Sequence, residues 1–345
     1  MFPKGFKTAL TDEHGAPMQT VFSQQRTEAW RPLFTPVIVI LILFIFGIGL
    51  VGLGAFFYLI SSKIIEIDYR YDDYCARNFP NSKFCELPIK IPKDIKDKVF
   101  ILYRLTNFYQ NHQRYVTSRC DAQLRGEYAD FNDMSYCGDY RSINGDSKDN
   151  KYWLLPCGAI ASSVFNDTFE FKVHNSTTSL QPQANFLSAG ISWRSDREKL
   201  FKKLNSEYDG IGVHWLKNNE TKDIFPKGQR NEHFIVWMRT SSLPTFMKPY
   251  AHCSNCFLPA AGNYSIIIEN NYPTSLFNGE KHIVLSTVSA LGGKNYALSI
   301  SYMVVGSFLF ISGLVVFVSH VFFPRKLGDS SYLSRPIARR EKNYN

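Results

Sequence analysis

Residues 37–60, VIVILILFIFGIGLVGLGAFFYLI, carry no charge, and residues 298–323, LSISYMVVGSFLFISGLVVFVSHVFF, carry only His320 as a group ionisable near neutral pH. At 1.5 Å of rise per residue, a helix over the first block reaches about 36 Å, against about 30 Å for a hydrocarbon core. Soluble helices rarely run this far without a polar face. Both blocks therefore read as transmembrane helices. They divide the chain into residues 1–36, 37–60, 61–297, 298–323 and 324–345.

The first block lies 36 residues from the start, and its apolar run exceeds the h-region of a cleaved leader, so it reads as a retained signal anchor. Lys4, Lys7, Arg26 and Arg31 precede it, and Arg325, Lys326, Arg335, Arg339, Arg340 and Lys342 follow the second block. The positive-inside rule then puts both tails in the cytosol and residues 61–297 in the lumen or outside the cell. The net charge of +9 is spread over these regions: 4 basic against 3 acidic side chains in the N-tail, 29 against 25 in the middle, and 6 against 2 in the C-tail. No dense basic patch forms in any of them, which excludes a nucleic-acid-binding reading. The C-tail cluster reads first as a topology signal, with contact to anionic membrane lipids as the alternative.

All seven cysteines (Cys75, Cys85, Cys120, Cys137, Cys157, Cys253 and Cys256) fall in the middle region. An oxidising compartment pairs most of them, and the odd number leaves at least one over, with Cys120 the best candidate. Spacing alone does not assign partners, although Cys75 with Cys85 and Cys137 with Cys157 would each close a short loop. The Cys253-Ser-Asn-Cys256 run reads as a structural pair, since no second C-x-x-C stands near it to complete a zinc site. Four sequons, at Asn166, Asn175, Asn219 and Asn263, also lie between the spans, so N-linked glycans are expected there.

The middle region alternates with period two at Val99-Ile101-Tyr103-Leu105, Phe169-Phe171-Val173, Phe234-Val236-Met238 and Ile266-Ile268. These runs predict strands with one buried face. Helical signals are short, the best being the cap and charge pattern from Ser195 through Leu204. The predicted fold is two transmembrane helices with a large, mainly antiparallel, sandwich-like β domain containing short helices and long loops. No phosphate-binding loop, nucleophile elbow, zincin motif or EF-hand loop is present, so neither a catalytic residue nor a metal or other cofactor is expected. In the second span Ser299, Gly306 and Gly313 recur every seven residues, a small-residue face that suits either a partner's helices or the first span.

Several motifs resemble those of one family. Asn107-Phe-Tyr-Gln-Asn-His112 with Arg114-Tyr-Val116 and Ser118-Arg119, Pro156-Cys-Gly-Ala-Ile160 running into Phe165-Asn-Asp-Thr168, and Ile235-Val-Trp-Met-Arg-Thr240 with Leu243-Pro-Thr-Phe246 are similar to the cell-division-cycle protein 50 family, also called the ligand-effect modulator 3 family. Gly190-Ile-Ser-Trp193 with Ser195-Asp196, Leu285-Ser-Thr287, Gly292-Gly-Lys-Asn295 and Pro324-Arg-Lys-Leu-Gly-Asp329 extend the resemblance in order over nearly the whole chain. The last motif looks closest to plant-type members. Departures are Cys120, the Cys253/Cys256 pair, Ala290 where Trp is usual, and Met247 and Pro249, which interrupt a Phe-Arg-Lys-Leu-Tyr run.

The resemblance implies a non-catalytic β-subunit of a type IV P-type ATPase, a flippase that moves aminophospholipids from the exoplasmic to the cytosolic leaflet. It implies a role in the folding of that pump and its exit from the endoplasmic reticulum, and residence in endoplasmic reticulum, Golgi, endosomal or plasma membrane. It also implies disulfides joining Cys75 with Cys85 and Cys137 with Cys157, and a glycan at Asn166. Trp237 and Arg239, two apart on an expected strand, are candidates for the partner interface because indole and guanidinium on one face can stack, the alternative being core anchoring by Trp237 beside a solvated Arg239. Composition and topology alone would also suit a free-standing glycosylated receptor or adhesion domain, and the Cys253/Cys256 pair a lumenal thiol oxidoreductase.

Overall fold

The computed structural model describes residues 34–96, 98–144, 148–174, 184–213 and 223–324. The basic flanks that set the expected orientation, and the sequons at Asn175 and Asn219, lie outside the described residues.

The two apolar blocks are helices α1 (Pro36–Ser62) and α7 (Tyr296–Phe322), each long and apolar enough to cross a membrane. They pack on each other through the small residues. A Cβ placed on Gly306 would lie 2.8 Å from the backbone nitrogen of Val51, and one on Gly47 would lie 2.9 Å from that of Phe310. Around this contact Phe44 meets Phe310 with ring centroids 5.1 Å apart, and Phe57 meets Tyr302 at 5.6 Å. Ser299, Gly306 and Gly313 are the buried residues of α7. Of the two readings of that face, the structure shows the first span on it, because only small side chains let the two backbones come this close. Gly306→Leu is therefore expected to force α1 and α7 apart. Cysteines introduced in pairs along the two helices would lose their oxidative crosslinking, and the variant would accumulate at a fraction of the parent's level.

Among the described residues between the spans, seven strands form two antiparallel sheets. Strands β1 (Glu66–Arg70), β3 (Val99–Leu105), β5 (Phe246–Cys253) and β7 (Lys281–Thr287) make a four-stranded sheet in the order β1-β7-β3-β5. Strands β2 (Phe84–Ile89), β4 (Thr168–Val173) and β6 (Tyr264–Glu269) make a three-stranded sheet in the order β2-β6-β4. The alternation read in the sequence sets the register. Val99, Ile101, Tyr103 and Leu105 are buried, with Ile101 opposite Leu285 on β7 and Ala251 on β5. In the second sheet Cys85 faces Ile268, Leu87 faces Ile266 and Ile89 faces Tyr264. The apolar faces of both sheets feed one core, joined by aromatic rings: Tyr103 stacks on Phe165 at 4.0 Å, and Tyr71 and Tyr250 each meet Phe169 edge-on.

Short helices close the sheets: α2 (Tyr71–Asn78), α3 (Gln113–Thr117), α4 (Asp121–Leu124), α5 (Ala159–Ser162) and α6 (Glu232–Met238). Helix α6 overturns the strand expected at Phe234-Val236-Met238. Asn231 caps it, its side-chain oxygen accepting the backbone N–H of His233 at 2.9 Å, and residues 234–238 are all buried. A fully enclosed helix shows an unbroken apolar run, in which a period of two can be found by chance. The helix expected from Ser195 to Leu204 shrinks to one wide turn, Asp196–Leu200. The chain leaves it when the N–H of Lys202 turns to the carbonyl of Leu124 at 2.9 Å.

Three disulfides close within the sheet domain, Cys75–Cys85, Cys137–Cys157 and Cys253–Cys256. Cys75–Cys85 ties α2 to β2, and Cys137–Cys157 lies in a smaller cluster with Phe131, Met134, Trp153 and Tyr208. Cys120 is the free thiol, buried in that same cluster.

Candidate functional site

The densest arrangement of polar and aromatic groups surrounds α6. Trp237 is wholly buried, and its indole N–H donates to the carbonyl of Ile160 in α5, 2.8 Å away. The rings of Phe108, Phe246 and Tyr272 surround it at 5.6–6.3 Å. Below the helix Lys248 extends from β5 and donates to the carbonyls of Val236, Trp237 and Arg239 at 3.3, 2.7 and 2.7 Å. These are the orphan acceptors of a helix C-terminus, and a lysine is a natural cap for them. Burial pushes the Lys248 pKa down to about 7.

Trp237 and Arg239 do not share a face, because the backbone between them is the end of a helix. Trp237 points into the core. Arg239 instead grips Asp196 through two hydrogen bonds, at 2.6 and 3.2 Å, and lays its guanidinium over the ring of Trp193, 4.3 Å from the centroid. Trp193 is 65% exposed. The pair with Asp196 raises the Arg239 pKa, chiefly through the hydrogen bond. Sequence reasoning missed Trp193 as the partner of Arg239, although both lie in the quoted motifs. A contact between segments more than forty residues apart has no local periodicity to reveal it.

On the other flank of α6, Glu232 accepts the backbone N–H groups of Gly190 and Ser192, the Ser192 hydroxyl and Arg197, at 2.7–3.1 Å. Burial works against its ionisation, but these donors outweigh it and hold its pKa below the usual glutamate value. His233, next in the chain, is stacked on Tyr250 at 4.4 Å, and its buried Nδ1 has no hydrogen-bond partner. Burial pushes the His233 pKa down to about 4, while Glu232 pulls weakly the other way. From 6.5 down to 4 the unfolded chain binds a proton that the folded chain refuses, so stability falls with pH through that window. Between pH 7.5 and 5 the loss expected from His233 is about 2 kcal/mol. Denaturant titration of the solubilised full chain at both values checks it, with His233→Phe expected to flatten the slope.

A second polar cluster is sealed beneath the sheets. Asp167 accepts from the Tyr71 hydroxyl at 2.5 Å, from Lys281 at 2.7 Å, and from the backbone N–H groups of Asn271 and Tyr272 at 2.6 and 2.5 Å. Lys281 also donates to the carbonyl of Tyr272 and to Asn270. The two side chains of the ion pair are 2% and 0% exposed. Burial lowers the Lys281 pKa, with Asp167 opposing it, and raises that of Tyr71 well above the ordinary tyrosine value. The cluster joins β7, α2 and the start of β4 and has the form of a structural knot.

Of the other expected sites, Asn263 is exposed at the start of β6, whereas Asn166 is half-buried with its side-chain oxygen enclosed. Cys253 and Cys256 are buried and joined, and burial is the main cause that pushes the Cys120 thiol pKa up. Among the described residues no group of three or more His, Cys, Asp or Glu is placed to hold a metal ion.

Residues 57–326 match the model of the LEM3 (ligand-effect modulator 3) family / CDC50 family. The chain belongs to this family. It is 36% identical to ALA-interacting subunit 3 of Arabidopsis thaliana, over 96% of this chain and 93% of that protein. It is 37% identical to cell cycle control protein 50A of Bos taurus, over 88% of both chains, and 32% identical to cell cycle control protein 50C of Mus musculus, over 90% and 95%. The CDC50/LEM3 match takes in the whole sheet domain, so the bracket of Asp196, Arg239 and Trp193 and the knot at Asp167 both lie within the family region.

Proposed function

We propose that this chain is the non-catalytic β-subunit of a type IV P-type ATPase phospholipid flippase. The observation that carries the reading is family membership over nearly the full length, with relatives named as interacting subunits. The sheet domain then lies on the lumenal or extracellular side as an ectodomain, with Asn166, Asn175, Asn219 and Asn263 as glycan acceptors. The protein travels with its pump from the endoplasmic reticulum to the Golgi, endosomes or plasma membrane and supports transport of aminophospholipids toward the cytosolic leaflet. The disulfides and the buried network supply a stiff body for this role. A subunit without chemistry of its own acts through contacts that differ between states of its partner, and each such difference shifts the pump's equilibrium by its free energy.

The test is affinity purification of the full chain from its native membrane in mild detergent, with mass spectrometry of the proteins recovered in near one-to-one amount. A type IV P-type ATPase is the expected companion. A lone glycoprotein at its final membrane would replace this reading with that of a receptor or adhesion protein.

A further inference from the structure

No dense basic patch stands out along the sequence, but folding brings two basic segments of the sheet domain together. Segments 188–204 and 226–239 together carry eight basic side chains against three acidic ones, while the remainder of residues 61–297 carries 21 against 22. The two segments are neighbours in space. They line a common cavity of about 270 Å³ bounded by Arg197, Phe201, Lys227 and Arg230, and the Gln229 amide holds the carbonyl of Lys202 at 2.6 Å. All three acids of the region are already engaged, Asp196 by Arg239, Glu198 by Arg194 and Glu232 by Arg197. Lys199, Lys202, Lys203, Lys227 and Arg230 are exposed and form no salt bridge among the described residues.

Beside this field lies a mainly apolar cleft of about 250 Å³, walled by Ile235, Val236 and Met247, with Asp196, Arg239 and Lys248 also in its lining and Trp193 at its flank. An exposed tryptophan is normally free to change rotamer. Here the guanidinium over its face is itself fixed by a two-point bond to a buried carboxylate, so the ring is held in place before any ligand arrives. Pre-set aromatic and arginine side chains beside a pocket are the usual anchors of protein interfaces, because little rotamer freedom remains to be lost.

We propose that this surface is the docking site for an acidic, extended segment of a partner protein, whose carboxylates lie against Lys227, Arg230 and the lysines of 199–203 while one apolar side chain enters the cleft beside Trp193. Charge complementarity selects the occupant: the field is positive, and its own acids are spent. The identity of the partner as the pump rests on the function proposed above; the chemistry of the segment does not.

The test places a photoreactive aromatic residue at the anchor, Trp193→p-benzoylphenylalanine, in the full chain in its native membrane, and sequences the crosslinked peptides. The expected product is a crosslink to a segment of net negative charge. Its yield should fall roughly tenfold in the double variant Lys227→Glu with Arg230→Glu and persist in Lys227→Arg with Arg230→Lys. Because positions 227 and 230 are exposed, these variants are expected to keep the parent's disulfides and protease resistance, which is verified alongside. Crosslinks to lipid alone, to a neutral or basic segment, or in a yield insensitive to charge reversal overturn the proposal. Pump recovery in the same sample separates the two ideas. A pump that co-purifies without an acidic crosslink at position 193 sinks the docking site and leaves the flippase reading intact, whereas a charge-dependent acidic crosslink to a different protein does the reverse.

Discussion

Asp167→Ala is expected to destabilise the sheet domain by about 3–5 kcal/mol, enough to leave little folded protein. The carboxylate takes four hydrogen bonds at 2.5–2.7 Å, and its loss strands the Lys281 ammonium in a site where the side chain is 2% exposed. An unpaired buried charge costs far more than the pair contributes, so the double replacement Asp167→Leu with Lys281→Met is expected to recover part of the loss. The substitution keeps the Asn166-X-Thr168 sequon, so a change in glycan does not confound the readout. Protease resistance and denaturant titration of the solubilised full chain measure both variants. A single variant as stable as the parent would mean that water or a rearranged side chain replaces the carboxylate, and the knot would then not be a structural requirement.

The two spans and three of the four strand runs could be read directly, because both rest on periodicity and length that adjacent residues carry. Val99 to Leu105 alternates in the sequence and alternates in burial. The knot could not be read. Lys281 sits in Glu280-Lys-His282 and Asp167 inside a sequon, and both contexts suggest solvent; only the packing of α2 on β7, with Asp167 brought in from the other sheet, buries them. The helix at 232–238 was hidden for a related reason. Its capping residue, Asn231, is a local signal, but enclosure on all sides erased the amphipathic pattern that would have marked the seven residues after it. The anchor at Trp193 depends on Asp196 and Arg239 meeting across forty-three positions, which no reading of spacing supplies.

Trp237 is the clearest case in which the structure changes what a substitution is expected to do. As a partner contact on a strand, Trp237→Ala would leave the domain folded and weaken association. As the buried hub of α6, it is expected to cost about 3–5 kcal/mol for the cavity. The carbonyl of Ile160 loses its shorter hydrogen bond and keeps only the Ser163 hydroxyl at 3.3 Å, and the aliphatic stem of Lys248, whose ammonium lies 4.7 Å from the ring, loses its packing surface. Trp237→Phe separates these contributions: it keeps most of the ring contacts with Phe108, Phe246 and Tyr272 but not the indole hydrogen bond, and about 2 kcal/mol is expected from that lost bond and the smaller ring. Both losses are read on the solubilised full chain by denaturant titration, before any partner is added. Because α6 also carries Arg239 at its end, loosening it releases the bracket that fixes Trp193, so partner recovery should fall in proportion to unfolding. If Trp237→Ala kept the parent's stability while partner recovery dropped, the interface role would belong to the indole after all, and the buried position would have to open when the partner binds.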